Sequence, residues 1–373
     1  MREVVVAGVG MARFGRYDDK TYIDHGVEAV QAALADAGLT WPEIQKAYCG
    51  ACGIGGFAGN QIGQELGLTG IAIVNVDNAS ASGSSAFRQA YHAVAEERCD
   101  IAMAMGTGQI GRQMTTPLSK GAMMKMQAGA QTNAMTIFAL VAQRRMHNYG
   151  TKPEVFGRIA VKSHWFGARN PYAQFQKETT LDQVMSGRMI ADPLTLYMCC
   201  PSGDGGAAAI VTTPAIAKRL GRHPLVRVKT SVMKGEVWGD GPWTMDLLTE
   251  LTAKEAYNKA GCGPEDFDLL QLHDATANEE LEYYEALGLC KRGDADKLVM
   301  DGEVGPGGRI PVNTDGGLIS RGHPLGPTGL AQTWETVLQL RGEAGARQVP
   351  DAKLGAIQMI GAGAVCFMTI LER

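Results

Sequence analysis

Much that would point to a membrane, a nucleic acid or a disulfide scaffold is missing from this chain. No apolar run reaches the roughly 18 residues that a membrane-spanning helix needs, so no span is expected. Lys and Arg number 35 against 39 Asp and Glu, a formal net charge of −4 with a pI near 6.0, and no basic block stands out. That balance excludes a nucleic-acid surface. The eight cysteines form no regular framework, which fits a reducing compartment rather than a stapled secreted fold. MREVVVAGVG runs straight into strand-like sequence without a signal-peptide pattern, so a cytoplasmic location is expected. No spacing of His, Cys, Asp and Glu suggests metal ligands, and VDNASASG lacks the G-x-S-x-G elbow of a serine hydrolase.

What the chain does have is length, apolar content and glycine. Its 373 residues suggest two or three structural units, and 45% hydrophobic against 20% charged residues fits a globular protein with a large core. Glycine is the outlier at 48 residues, about twice the usual share. The glycines gather in turns between apolar segments, as in GIGGFAGN, GDGG, GPGGR and DGGLISRGHPLGPTG. Glycine serves where the backbone takes a positive φ or approaches another group closely. The pattern predicts tightly packed layers and a site lined by main chain.

Val4–Gly8 reads as a buried strand. The GVGMARFG that overlaps it fails as a dinucleotide fingerprint, because Gly8, Gly10 and Gly15 are wrongly spaced and no helix opens at the second glycine. A helix is predicted later, from an N-cap at Asp24 through Val27, Val30 and Leu34 to a stop at Gly38. AALADAGLTWPEIQKAYCG (Ala32–Gly50) is echoed by KEAYNKAGCGPEDFDLLQLHD (Lys254–Asp274): a helix, an Ala-Gly stop, a Pro-Glu turn and an apolar strand. Ser80-Ala-Ser-Gly83 opens a helix in the first half, and His323-Pro-Leu-Gly326 opens one at the matching place in the second. An α/β chain of two similar halves follows, each a sheet with helices on its faces, with the two helix N-termini facing one cleft. The region from about Met114 to Cys200 differs and is expected to be an inserted lid or substrate region. Its methionines (Met114, Met123, Met124, Met126 and Met135) suit either an acyl pocket or simple packing.

Seven histidines and eight cysteines supply the candidate chemistry. His25, His92, His147, His164 and His223 sit in helical or polar context and read as structural. His273 ends the apolar strand DLLQLHD, where a sheet delivers side chains to a cleft. His323 lies in SRGHPLGPTG at the presumed helix start. Together they suit general acid–base or oxyanion-binding work, since imidazole both donates and accepts near neutral pH. Cys49 and Cys52 in YCGACG lack a second pair at zinc spacing, and Cys199-Cys200 precede a tight PSGDGG turn that could enter the site. Ser80 in VDNASASGSSAF stands where a nucleophile is usually presented, at a helix N-terminus, yet no neighbouring motif would activate its hydroxyl.

These stretches resemble the thiolase superfamily, in particular its sterol-carrier-protein-type and archaeal branch. The resemblance runs nearly end to end, through VDNASASGSSA, YGTKPEVFGRIAVKSHWFGARNP, MIADPLTLYMCCPSGDGGAAAIV, HDATANEELEYYEALGLC, PVNTDGGLISRGHPLGPTGLAQ and IGAGAV. It implies two βαβαβαββ halves in a five-layered fold, with 1–113 and 201–226 forming the first half, 114–200 an inserted loop domain and 227–373 the second half. It implies an acyl-CoA substrate with coenzyme A as cosubstrate, no tightly bound cofactor and no metal. The partners it implies are a second copy, paired through the first half, and an OB-fold, zinc-ribbon acyl-CoA-associated subunit.

Carried over position by position, the resemblance puts the nucleophile, a cysteine in such proteins, at Ser80. The histidine of the Gly-His-Pro motif falls on His323, and the His-Asp histidine of the oxyanion site on His273. The second cysteine, from a Cys-x-Gly motif, falls on Met359, and the glycine on Gly361, whose N–H would join that of Ser80 in an oxyanion hole. Cys200, Ser202, Asn278 and Met359 are expected to contact substrate. Both histidines are therefore kept and both cysteines are gone. An alcohol is a far weaker acid than a thiol, and a methionine relays no proton, so ordinary two-cysteine thiolysis is not expected. Four readings stay open. One is an acyltransferase that makes or cleaves a carbon–carbon bond of a β-ketoacyl-CoA with two histidines and backbone oxyanion holes. Another is a retro-aldol lyase on a β-hydroxyacyl-CoA, although aldolases of this superfamily alter the Gly-His-Pro region that is intact here. The third is a non-catalytic acyl-CoA or lipid-binding subunit, and the fourth a Ser80 introduced in place of a cysteine.

Overall fold

The computed structural model describes residues 1–109, 134–222, 224–236 and 245–373. The first half runs β1 (Val5–Met11), α1 (Tyr22–Ala37), β2 (Lys46–Ala51), α2 (Ala58–Leu66), β3 (Ala72–Val76), α3 (Ser82–Ala95) and β4 (Ile101–Gly108). An insertion follows, with α4 (Ala134–Tyr149), α5 (Pro153–Gly167), α6 (Leu181–Met185) and a hairpin of β5 (Met189–Ala191) and β6 (Leu194–Thr195). The half then closes with β7 (Gly205–Thr212) and α7 (Pro214–Arg219). The second half runs β8 (Val226–Gly235), α8 (Met245–Ala260), β9 (Leu269–Gln271), α9 (Ala277–Ala286), α10 (Ala295–Met300), α11 (Gly317–Ser320), α12 (Thr328–Arg341), β10 (Leu354–Gly361) and β11 (Val365–Glu372).

The strands stand in the order β3-β2-β4-β7-β1-β8-β11-β10-β9. In the first half β7 runs antiparallel between β4 and β1, while β2, β3 and β4 are parallel. In the second half β11 runs antiparallel between β10 and β8, and β9 is parallel to β10. Strands β8, β9, β10 and β11 thus repeat β1, β2, β4 and β7, and the halves join where β1 pairs with β8 at Val5–Arg227 and Val6–Val226. One strand breaks the repeat. The counterpart of β3 is a single bridge between Leu270 and Val312. There Asn313 takes a φ of 57° and its Oδ1 accepts from Leu272 N at 2.7 Å, so a side chain replaces the next rung of the ladder.

Helices α3 and α12 fill the space between the two halves of this nine-stranded sheet, one half-sheet from each repeat. One apolar cluster joins Phe87 and Val94 of α3, Leu330 and Val337 of α12, and Val6, Ala209, Ile357 and Leu371 from both half-sheets. Each such fully buried Leu or Phe stabilises the fold by about 1.5–3 kcal/mol. Helices α1 and α2 cover the outer face of the first half-sheet. Helices α8 and α9, with α4 and α5 of the insertion, cover the second. Five layers result, as the sequence resemblance implies. Among the described residues of the insertion, Phe156, Ile159, Val184 and Leu194 pack with Leu281 and Leu318 of the second half.

Local sequence explains how the elements start and fit. Helix α1 begins before Asp24, because Thr21 is its N-cap and Asp24 sits at the third helical position. The Asp24 carboxylate accepts from Thr21 N at 2.7 Å, which makes the pair a capping box rather than an Asp cap. Gly10 belongs to β1, and a Cβ there would lie 2.2 Å from Ala29 O of α1. Gly8 and Gly10 of the failed fingerprint serve close strand–helix packing. The echoed Pro-Glu turns both form: Thr40 N donates to Glu43 Oε2 at 2.7 Å and Gly263 N to Asp266 Oδ2 at 2.8 Å. Met114, Met123, Met124, Met126 and His223 lie outside the described residues. Met135 packs against the second-half core. Among the described residues, no helix is long and apolar enough to cross a membrane.

Candidate active site

The stretch VDNASASGSSAF forms the turn from β3 into α3, and its small polar groups hold one another. Ala79 N donates to Asp77 Oδ1 at 2.9 Å, and Asn78 N donates to Ser82 Oγ at 2.9 Å. Ser82 Oγ in turn donates to Ala79 O at 2.7 Å. These bonds hold Ala79 at a φ of 51°, a region that residues with a Cβ enter at a cost. Ser80 follows directly. The end of β10 lies against the same turn, since a Cβ on Gly361 would fall 2.2 Å from Asn78 O. Only glycine allows that approach, and it brings the main chain of Gly361 beside Ser80.

The second half supplies the partner of Ser80. Its Oγ lies 3.0 Å from His323 Nε2, and His323 Nδ1 lies 2.9 Å from Thr328 Oγ1, the first residue of α12. Thr328 Oγ1 donates to Pro324 O at 2.6 Å. A carbonyl can only accept, so the Thr328 hydroxyl has spent its proton there and must accept from His323 Nδ1–H. This assigns the tautomer: Nε2 carries the lone pair, and the Ser80 hydroxyl donates to it. Burial, followed by the nearby His273 and Arg321, pushes the His323 imidazole well below its ordinary pKa, so it is neutral at pH 7. Its loop is tied down by a buried ion pair between Arg321 and Asp315 and by Gln174 N donating to Arg321 O at 2.9 Å.

His273 approaches from the end of β9. Its backbone N–H donates to Gln358 Oε1 at 3.0 Å, and the neighbouring Asp274 Oδ1 accepts from Leu318 N at 2.7 Å, which links this strand end to the His323 loop. His273 Nδ1 lies 3.3 Å from Glu279 Oε1, which also accepts from Tyr283 Oη at 3.0 Å. A carboxylate oxygen accepts, so the hydrogen of this contact is drawn from His273 Nδ1. His273 Nε2 is buried and has no protein partner among the described residues. Such an orphan costs about 1–3 kcal/mol, which marks it as a group awaiting another molecule. The two imidazoles meet edge to face, with centroids 5.3 Å apart at 82°.

Ser80, Gly361, His273 and His323 therefore converge, the two halves contributing to one site. Cys200 is bound to the same region, its N–H donating to Ala275 O at 2.8 Å. Burial, with Cys199, Glu279 and Asp274 nearby, pushes its thiol well above the ordinary range, away from a thiolate. Met359 is fully buried and packs with Ala81, Val365 and Phe367 beneath the Ser80 turn. Asn278 is fully buried at the start of α9 and donates to Phe138 O at 3.2 Å, while Ser202 is exposed. Burial pushes Cys49 and Cys52 up to about 12, so neither is a ready thiolate. No group of His, Cys, Asp and Glu that could hold a metal occurs among the described residues. Thr328 and Glu279 were missed from sequence. Glu279 was findable as the fourth residue of the capping box Thr276-x-x-Glu279 that opens α9.

Comparison with known proteins places this geometry. The family model "Thiolase, N-terminal domain" matches residues 4–214, and "Thiolase C-terminal domain-like" matches residues 242–373. Sterol carrier protein 2 of Oryctolagus cuniculus is 38% identical over 394 residues, spanning 99% of this chain and 72% of that protein. Benzoylsuccinyl-CoA thiolase subunit BbsB of Thauera aromatica is 34% identical over 371 residues, spanning 97% of this chain and 95% of its own. Among solved structures, the Ltp2-ChsH2(DUF35) aldolase superposes with a TM-score of 0.85 at 26% identity, covering 99% of this chain and 97% of that one. Human mitochondrial 3-ketoacyl-CoA thiolase shares the fold, with a TM-score of 0.75 at 17% identity over 100% of this chain and 98% of that one. Matched in both halves and aligned nearly end to end with such relatives, the chain belongs to the thiolase superfamily.

Proposed function

We propose that this chain makes or breaks the bond between the α and β carbons of an acyl-CoA that bears an oxygen on its β carbon. One observation carries the reading: a neutral His323 holding Ser80, and a carboxylate-backed His273 with a free Nε2, meet at 5.3 Å in a desolvated cleft. Breaking this bond leaves an electron pair on the α carbon, delocalised onto the thioester oxygen as an enolate. Fixed donors in a dry site stabilise such charge far better than water does. The main-chain N–H groups of Ser80 and Gly361 are our candidates for that role, and the imidazoles move the protons.

Two forms of the step share this chemistry. With a β-keto group the reaction is acyl transfer, and the acyl fragment must rest on the protein or pass directly to a second coenzyme A. Ser80 is a weak carrier, Met359 moves no proton, and the Cys200 thiol is shifted the wrong way. With a β-hydroxyl group the reaction is a retro-aldol cleavage. His273 takes the hydroxyl proton at Nε2, the carbonyl forms as the carbon–carbon bond breaks, and the protonated His273 gives a proton from Nε2 back to the α carbon of the resulting enolate. That form needs no acyl carrier, and the likeness to an aldolase supports it. The aldol form is therefore the one these residues can complete unaided.

The same reading includes partners. Strand β3 is a sheet edge with Val74 half-exposed, and Phe57 and Leu68 are exposed nearby, which supports pairing with a second copy. The names of two relatives, a thiolase subunit and an Ltp2-ChsH2(DUF35) aldolase, support a further subunit. The test is mass spectrometry of a panel of β-keto- and β-hydroxyacyl-CoA thioesters with enzyme. Cleavage to a shorter acyl-CoA, cut about 10²–10³-fold by His273→Ala or His323→Ala with folding intact, is expected. Failure to bind or cleave any thioester overturns the reading.

A further inference from the structure

Glu279 does more than hold His273. It stands one helical turn from Glu282 on α9, and both line a cavity of about 20 Å³ with Tyr283, Arg144 and Asp246. That volume suits one water molecule; Val141 and Met245 make much of the wall apolar, and the charged side chains of Glu279, Glu282, Asp246 and Arg144 are the polar partners among its lining. Glu279 is buried, whereas the Glu282 side chain is 13% exposed. A line therefore runs from His273 Nδ1 through Glu279 Oε1 and the cavity to a carboxylate that meets solvent.

We infer that Glu279, one cavity water and Glu282 form a proton path between His273 and solvent. The path rests on the reading of His273 as a proton carrier. When His273 gains a proton at Nε2, the proton on Nδ1 moves to Glu279 Oε1. Glu279 passes a proton to the water, the water passes one of its own to Glu282, and Glu282 releases it to bulk solvent. Glu279, the water and Glu282 end with the protons they began with; His273 keeps one proton, now on Nε2 instead of Nδ1, and one proton has passed to solvent. The reverse sequence reloads Nδ1. His273 can then reset without opening the site to water.

The surroundings of Glu282 suit it to the outer position. Arg145 and Arg144 face it from α4, Asp246 from α8 and Glu285 from its own helix. Arg145 Nη1 stands 3.8 Å away, and its other amino group is engaged by Glu285 at 2.8 Å and Asp296 at 3.0 Å. Burial raises Glu282 to about 7, with Arg145 opposing, so it takes up and releases protons readily at neutral pH. Glu279 and Glu282 act through His273 and are positioning residues.

The test needs no substrate. In ¹⁵N-histidine-labelled enzyme, exchange of the His273 Nδ1 proton with D₂O is followed by NMR, the signal being assigned by its loss in His273→Gln. Glu282→Gln is expected to slow this exchange on the order of tenfold at pH 7 in weak buffer. Added imidazole, a mobile proton carrier, should restore it, which a merely structural role for Glu282 would not produce. Wild-type exchange should also show an inflection near pH 7, a measurement that stands if the variant does not fold. Unchanged exchange in Glu282→Gln, slow exchange that imidazole does not restore, or no inflection in the wild type overturns the path. The thioester panel fails or succeeds separately, so loss of the proton path and loss of the proposed function are told apart.

Discussion

Replacing Ser80 by alanine separates a polar filler from a nucleophile by several orders of magnitude. The Ser80 hydroxyl donates to His323 Nε2 at 3.0 Å, so geometry alone permits proton removal. Energetics oppose it. Attack by Ser80 would leave His323 as an imidazolium whose Nδ1 faces the Thr328 hydroxyl instead of a carboxylate, and burial, His273 and Arg321 all disfavour that charge. In a serine triad the carboxylate stabilises this ion. Here the carboxylate, Glu279, sits on the other histidine. Ser80→Ala then removes one hydrogen bond, about 1 kcal/mol of stability, and turnover falls by less than about tenfold. Loss of a true nucleophile would cost on the order of 10⁶ in kcat. The assay is turnover of the thioester cleaved in the panel, with intact-protein mass spectrometry during the reaction. A fall of about 10⁴-fold or more, or a Ser80 acyl adduct forming as fast as product, would refute the reasoning. Ser80→Cys should create an acyl adduct, because His323 Nε2 is already placed to accept a thiol proton.

Three other perturbations test the framework. Thr328→Val strips the acceptor from His323 Nδ1 and should cost about 1–3 kcal/mol in urea unfolding, with a larger loss of kcat than of stability; Thr328→Ser should rescue both, and full activity in the valine variant would deny the tautomer its role. Burial holds His164 at about 4, below the ordinary value of about 6.5. As pH falls, the unfolded chain binds that proton first, so stability is lost between about 6.5 and 4 and the total reaches about 3 kcal/mol. His164→Gln should flatten the dependence of the urea midpoint on pH over that window, and an unchanged slope would sink the assignment. Gly329→Ala would place a Cβ 2.1 Å from Ser84 Oγ and 2.7 Å from Ser84 N, where α12 meets α3. That overpacking should cost about 1–3 kcal/mol, and an unshifted melting temperature would mean that the central helices separate freely.

The architecture was largely legible because its signals are local. Each Ala-Gly stop, Pro-Glu turn and apolar run reports its own few residues, and two copies of the set report two halves. The signals failed where neighbours in space overrode them. Thr21 rather than Asp24 caps α1, since both residue types accept from backbone N–H groups and only the chain path decides between them. The counterpart of β3 in the second half shrinks to one bridge at Val312, because the Asn313 side chain takes over the next hydrogen bond.

By itself, the sequence determined the α/β class, the doubled halves, the two histidines and the absence of both expected thiols. His273 and His323 stood out because a strand end and a Gly-Pro turn are places where chains deliver side chains to clefts. The tertiary structure alone decided what those histidines can do. Ser80 and His323 are 243 positions apart, and they meet because α3 and α12 pack between the half-sheets. That packing puts a hydroxyl behind one imidazole and a carboxylate behind the other, and seals Met359 among Ala81, Val365 and Phe367. A residue's proton affinity depends on its partners and its burial, and no local pattern along the chain records either.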